Sequence, residues 1–129
     1  MNHLNSFSKL EHLCGDKRIN RLFTQGDAFI AYPLRVVFMI EPKKDTVPVS
    51  VMVSVPKKRF KRAVKRNRLK RLMREAYRLN KFEVVEKLSE KQLQAHVAFN
   101  YVSDEEFDFE TIEKKMKIAL QRLIEKIPV

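Results

Sequence analysis

Only two glycines, Gly15 and Gly26, occur in 129 residues. That scarcity excludes the Gly-rich cradles of nucleotide-binding loops, and no P-loop, GxGxxG or GxSxG pattern is present. The single cysteine, Cys14, excludes an internal disulfide framework and fits a reducing compartment. His3, His12 and His96 are scattered without CxxC or HxxxH spacing, so no zinc site is expected. No apolar run approaches the roughly 18 residues of a membrane span. Met1 to Leu13 lacks an apolar core and a small-residue cleavage site, so no secretion signal is expected and the protein reads as cytoplasmic. No spacing of carboxylates or nucleophiles picks out a protein-encoded active site.

Acidic residues are missing from one place in particular. Lys57 to Lys81 reads KKRFKRAVKRNRLKRLMREAYRLNK and holds 13 of the 27 Lys and Arg, but only Glu75 of the 16 Asp and Glu. The rest of the chain is nearly balanced, with 14 basic and 15 acidic residues, so the net charge of +11 resides in this one run. Such a surface attracts polyanions, and its electrostatic work is binding and steering. Basic runs are often plain solvated faces or localisation patches. This one is one-sided and has almost no acid interleaved for i,i+4 pairing.

The run is also patterned. Leu69, Leu72, Met73, Ala76 and Tyr77 follow the i, i+3, i+4, i+7, i+8 stripe of an amphipathic helix. Asn67, Lys70, Arg71, Arg74 and Arg78 fall on the opposite arc, with Arg68 and Glu75 on one flank. A helix over about Arg62 to Asn80 would press its apolar face on a core and present a cationic ridge.

The remaining elements frame it. Met1 to Leu13 reads as an irregular arm. Asp16 is placed to cap a helix through about Gln25, with Ile19, Leu22 and Phe23 on one face and Gly26 as its stop. Phe23 reads as core, with base stacking as the functional alternative. Ala28–Tyr32 and Leu34–Glu41 are strands separated by Pro33, and Val49–Val55 alternates valine with Ser50, Met52 and Ser54. The valine face should meet the core; the Ser/Met/Ser face is either a groove floor or plain solvent surface. After Pro56 and a basic loop comes the long helix, then a helical piece around Phe82–Leu88 and a strand at Ala95–Val102. A C-terminal amphipathic helix follows, marked by Phe109, Ile112, Met116, Leu120, Leu123 and Ile127, capped from either Ser103 or Asp108. The expected fold is α+β: a two-layer sandwich in one domain over 1–129, with helices on a small mixed, mostly antiparallel sheet in the order α-β-β-β-α-β-α. The strand–helix–strand unit implies one parallel pairing, right-handed by default.

Arg66-Asn67-Arg68, continuing through Lys70-Arg71 to Arg74-Glu75, resembles the protein subunit of bacterial ribonuclease P. Its hallmark is an RNR box within A-x-x-R-N-R-x-K-R-x-x-R-E, preceded by a strand and a K-K/R-x-F loop. Every one of these positions is filled from Lys57 to Glu75. The resemblance implies a small basic protein that assists a catalytic RNA in removing the 5′ leader of precursor tRNA. Mg²⁺ would be bound mainly by that RNA and not by the protein alone. It implies contacts to the catalytic RNA from Lys57, Lys58, Arg59, Arg62, Arg66, Asn67, Arg68, Lys70, Arg71 and Arg74, and a leader cleft involving Phe23 and the Ser54 face. It also implies a left-handed βαβ crossover in place of the default. Lys61 stands where the family often has Gly, and His12 where it often has Arg.

Other readings make different demands. A general structured-RNA binder, such as a ribosomal or assembly factor, would use the same helix without any role in tRNA processing. A DNA reader needs fewer cations than this run holds and a preceding helix that is lacking. A self-sufficient nuclease needs a metal-binding carboxylate cluster that is not recognisable here. Neither DNA nor a membrane is an expected partner.

Overall fold

The computed structural model describes residues 15–44 and 47–128. The expected arm, with His12, and Cys14 lie outside them. Eight elements follow in order: α1 (Asp16–Gln25), β1 (Asp27–Ala31), β2 (Leu34–Pro42), β3 (Val49–Ser54), α2 (Ala63–Asn80), α3 (Phe82–Glu90), β4 (Leu93–Tyr101) and α4 (Phe109–Lys126). The α+β expectation holds, with the helical piece after α2 becoming a separate helix. Lys81 is the joint, serving as C-cap of α2 and N-cap of α3.

The sheet runs β1-β2-β4-β3. β1 and β2 form a hairpin across Tyr32–Pro33, whose peptide bond is cis. β2 and β4 pair antiparallel over nine positions, from Leu34↔Tyr101 to Pro42↔Leu93, while β3 runs parallel to β4 from Val49↔Ala95 to Ser54↔Asn100. The last strand is thus inserted between two earlier ones. β2 and β4 are the central strands; β2 carries the continuous apolar stretch Val36 to Ile40, whereas β4 alternates apolar residues with Gln94, His96 and Asn100.

The two faces are unequal. On one, Val36, Phe38, Val49, Val51, Val53, Val97 and Phe99 join Leu69, Met73, Ala76 and Tyr77 of α2 and Ile112, Met116 and Leu120 of α4 in the main core. Each large side chain fully buried there contributes roughly 1.5–3 kcal/mol. On the other, Leu22 of α1 packs with Val37 and Ala98, edged by Ile19, Met39 and Met52. The valines of β3 take the core face as expected, and Ser50, Met52 and Ser54 share the α1 face, with Ser50 buried and the other two half-buried.

Several local expectations are corrected. Asp16 is the first residue of α1, not its cap; Gly15 holds that position, and its carbonyl accepts from the Ile19 N–H. Gly26 stops α1 without left-handed geometry, at φ −81°. Its smallness serves close approach instead: a Cβ there would lie 2.5 Å from the Leu22 carbonyl oxygen and 2.8 Å from that of Phe38. Phe23 is not core but 43% exposed, because Leu22 takes the inward position. Of the two candidate caps for α4, Asp108 is the one used; its Oδ1 accepts from the Thr111 N–H at 2.9 Å. That bond also holds the Asp108 carboxyl below its ordinary pKa.

Candidate RNA interface

The basic loop ahead of α2 is built on Phe60. Its ring is buried and meets Tyr101 edge-on, with centroids 5.9 Å apart. The Pro56 carbonyl accepts from the N–H groups of both Arg59 and Phe60, closing a turn. Arg66 then reaches back along the helix and donates from Nη1 to the Phe60 carbonyl at 2.7 Å and the Lys61 carbonyl at 2.9 Å. This arrangement gives Phe60 and Arg66 one shared role, fixing the path of the chain into α2. Lys61 has no positive φ, since Gln92 is the one such non-glycine among the described residues, so it occupies its position without backbone strain.

The cations of the run divide into two sets. Those on one side of α2's first turns face the acidic connection between β4 and α4. Arg59 pairs with Asp104 at 3.1 Å, and Glu106 receives Lys65 at 3.1 Å and Arg68 at 3.3 Å. Farther along, Arg78 grips Glu75 through Nε and Nη2 at 2.6 and 2.8 Å. The hydrogen bond from Arg78 lowers the Glu75 pKa, and the same bond raises that of Arg78. The sole acid of the basic run is thereby neutralised. Lys57, Lys58 and Arg62, and on α2 Asn67, Lys70, Arg71 and Arg74, have neither hydrogen-bond nor ion-pair partners for their side chains among the described residues. Asn67, Arg71 and Arg74 line one open groove whose floor is Leu72, Leu79 and Phe109. The exposed donors are therefore concentrated where the helix turns away from its core stripe.

The α1 side of the sheet carries Phe23 and Ser54, the two residues expected at a leader cleft. Ser54 and Phe23 lie on the same side of the sheet, Ser54 by register with Asn100, to whose Oδ1 it donates at 2.5 Å. Nothing in the sequence pattern singled out the polar cluster at the other end of this face. Glu41 accepts from Arg21 Nη2 at 2.7 Å, Gln94 Nε2 at 2.6 Å and His96 Nε2 at 2.9 Å. Burial would raise the Glu41 pKa, but the hydrogen bonds from Gln94, His96 and Arg21, with the charge of Arg21, hold it at about 2. An ionised carboxylate requires the proton on His96 Nε2, leaving Nδ1 buried without a partner among the described residues. Lys17, Arg18 and Lys44 ring this recess, so the Glu41 end of the α1 face is edged with cations. The signal that could have found the cluster is cross-strand: Glu41 lies opposite Gln94 and next to His96 only once the β2–β4 register is known.

Among the described residues no group of three or more His, Cys, Asp or Glu side chains could hold a metal ion, and no helix is long and apolar enough to cross a membrane.

The Ribonuclease P family profile matches residues 7–124. The chain is 50% identical over 121 residues to the ribonuclease P protein component of Porphyromonas gingivalis, covering 94% of this chain and 88% of the relative. It is 30% identical over 116 residues to that of Clostridioides difficile, covering 90% and 94%. In fold it is similar to the RNase P protein of Staphylococcus aureus, with a TM-score of 0.70 and 17% identity over 88% of this chain and 94% of that one. The RNase P protein from Thermotoga maritima gives 0.67 and 24%, over 87% and 96%.

Proposed function

The chain belongs to the ribonuclease P protein family and is a protein component of that ribonucleoprotein endoribonuclease, and we propose that it binds the catalytic RNA and the 5′ leader of precursor tRNA as a single cytoplasmic domain. The observation that carries this reading is the arc of unpartnered side chains on α2, Asn67, Lys70, Arg71 and Arg74, in the register of the RNR box. With Lys57, Lys58 and Arg62 before them, they offer charge-assisted donors to phosphates. Arg66 acts by fixing the loop, and Arg59 and Arg68 reach RNA by exchanging their carboxylate partners for phosphates. Neutralising several phosphates releases counterions and makes binding steeply salt-dependent.

The leader lies against the other layer. Phe23 offers a face on which an unpaired base stacks, and Ser54 with Asn100 offers hydrogen bonds at the β3 end of the same sheet face. Mg²⁺ belongs to the RNA, which carries the hydrolysis. The protein contributes by positioning the leader and relieving phosphate repulsion when Mg²⁺ is limiting. No side chain of this chain takes a chemical step.

The test is cleavage of a precursor tRNA by a bacterial ribonuclease P RNA at low Mg²⁺, with and without this protein. Stimulated cutting at the mature 5′ end, by a protein inert on its own, is expected. Tight binding to unrelated structured RNAs without stimulation of any cognate ribonuclease P RNA would replace this reading with that of a general RNA-binding protein.

A further inference from the structure

The groove between α2 and the start of α4 does not have the composition of a phosphate-binding ridge. Its rim is polar and cationic, from Asn67, Arg71 and Arg74, but its floor is Leu72, Leu79 and Phe109. Leu79 is 42% exposed, whereas Leu69 and Met73 on the same helix are fully buried. Phosphate oxygens gain nothing from an apolar floor, and water is a poor partner for it. We infer that this groove receives an unpaired nucleobase of the catalytic RNA, while Arg71 and Arg74 hold the phosphates on either side of it; the inference rests on the proposed function and adds a second kind of contact to it.

Four features fit that occupant. A base has a flat apolar face and a polar edge, which match the Leu72–Leu79–Phe109 floor and the Asn67 amide, a donor and an acceptor in one group. The guanidinium planes of Arg71 and Arg74 have no partners within the described residues, so they are free to stack on a base or fork onto phosphate. Glu75, which also borders the groove, would repel a polyanion if bare. Both its oxygens are occupied by Arg78, which removes that opposition. The groove is open, with a volume of about 920 Å³, room enough for a base with its sugar. A base inside an A-form duplex presents no free face, so the nucleotide must be unpaired or splayed out.

The test measures salt-dependent affinity for a bacterial ribonuclease P RNA by the full chain and two variants. Leu79→Gln should weaken binding roughly three- to tenfold at every salt concentration, leaving the slope of log affinity on log salt unchanged, with an unchanged Tm. Arg71→Gln should instead reduce that slope by about one unit. A photo-crosslinking benzoylphenylalanine at position 79 should mark a nucleotide that is unpaired in the RNA, and making that nucleotide abasic should abolish the effect of Leu79→Gln. If Leu79→Gln binds like the wild type while Arg71→Gln is weakened, or if crosslinks map only to duplex, the groove is a phosphate ridge alone and the inference fails while the proposed function stands. Absence of binding by the wild-type chain overturns both.

Discussion

Glu106 lies between two cations of the basic run, with Arg68 Nη1 at 3.3 Å and Lys65 Nζ at 3.1 Å from its two oxygens. If RNA phosphates approach Lys65 and Arg68 as proposed, a carboxylate there would compete for the same groups. Glu106→Gln should therefore raise affinity for ribonuclease P RNA several-fold at low salt and steepen the salt dependence. The half-exposed pairs contribute no more than about 1 kcal/mol, so the folded state should lose little. A titration of labelled RNA at several salt concentrations reads this directly. Loss of affinity would instead show that Glu106 holds Lys65 and Arg68 in place for the RNA.

Arg66 and Arg71 should separate into different classes of defect. Arg66→Ala removes two hydrogen bonds to loop carbonyls, so it should lower stability by about 1–3 kcal/mol and weaken RNA binding through the loop. Arg71→Ala leaves no group unpaired; it should weaken binding by about 1–3 kcal/mol with stability unchanged or slightly raised, because self-repulsion falls. Lys117→Ala, on the exposed side of α4, serves as the control and should change neither. Thermal unfolding alongside RNA titration distinguishes the three.

Glu41 predicts a pH dependence. Its carboxyl is held at about 2 against an ordinary 4.5, so the folded state favours the ionised form. The associated stabilisation, on the order of 2 kcal/mol, is complete above about pH 5 and fades as the pH falls toward 2. Glu41→Gln should accordingly lower stability at pH 7 and have progressively less effect toward pH 2–3. Denaturant unfolding of both proteins across that window checks it; a penalty of constant size would mean that the cluster acts by shape and not by charge.

Gly26→Ala should destabilise the fold by about 1–3 kcal/mol. The added methyl would meet two backbone oxygens, those of Leu22 and Phe38, neither of which can swing aside. Relief requires α1 to lift from β2, so leader-dependent stimulation of cleavage should fall along with the Tm. A normal Tm would show that α1 is more loosely seated than its burial of Leu22 implies.

The elements that were legible in the sequence are those with a period. The stripe through Leu69, Met73 and Ala76 located α2 to within a residue, the alternation of Val49, Val51 and Val53 identified β3, and the unit they form implied the parallel pairing that β3 and β4 make. What depends on non-local packing was hidden. The exposure of Phe23 follows from Leu22 winning the single inward position of a short helix. The acids at Asp104 and Glu106 stand far from the basic run in sequence, and only the fold brings them to Arg59 and Arg68. Likewise, Arg66 and Arg71 are indistinguishable as letters in a basic run, and only geometry separates the one that ties the loop from the one that stays free.

The place of β4 in the sheet bears on how the chain emerges during synthesis. Its two neighbours, β2 and β3, are complete long before it, and between them and it come all of α2 and α3. A chain that ends before Leu93 lacks the strand that joins β2 to β3, and with it the Phe99 ring on which Tyr77 of α2 packs. The strongly cationic α2 is therefore extruded ahead of the strand that completes its own platform.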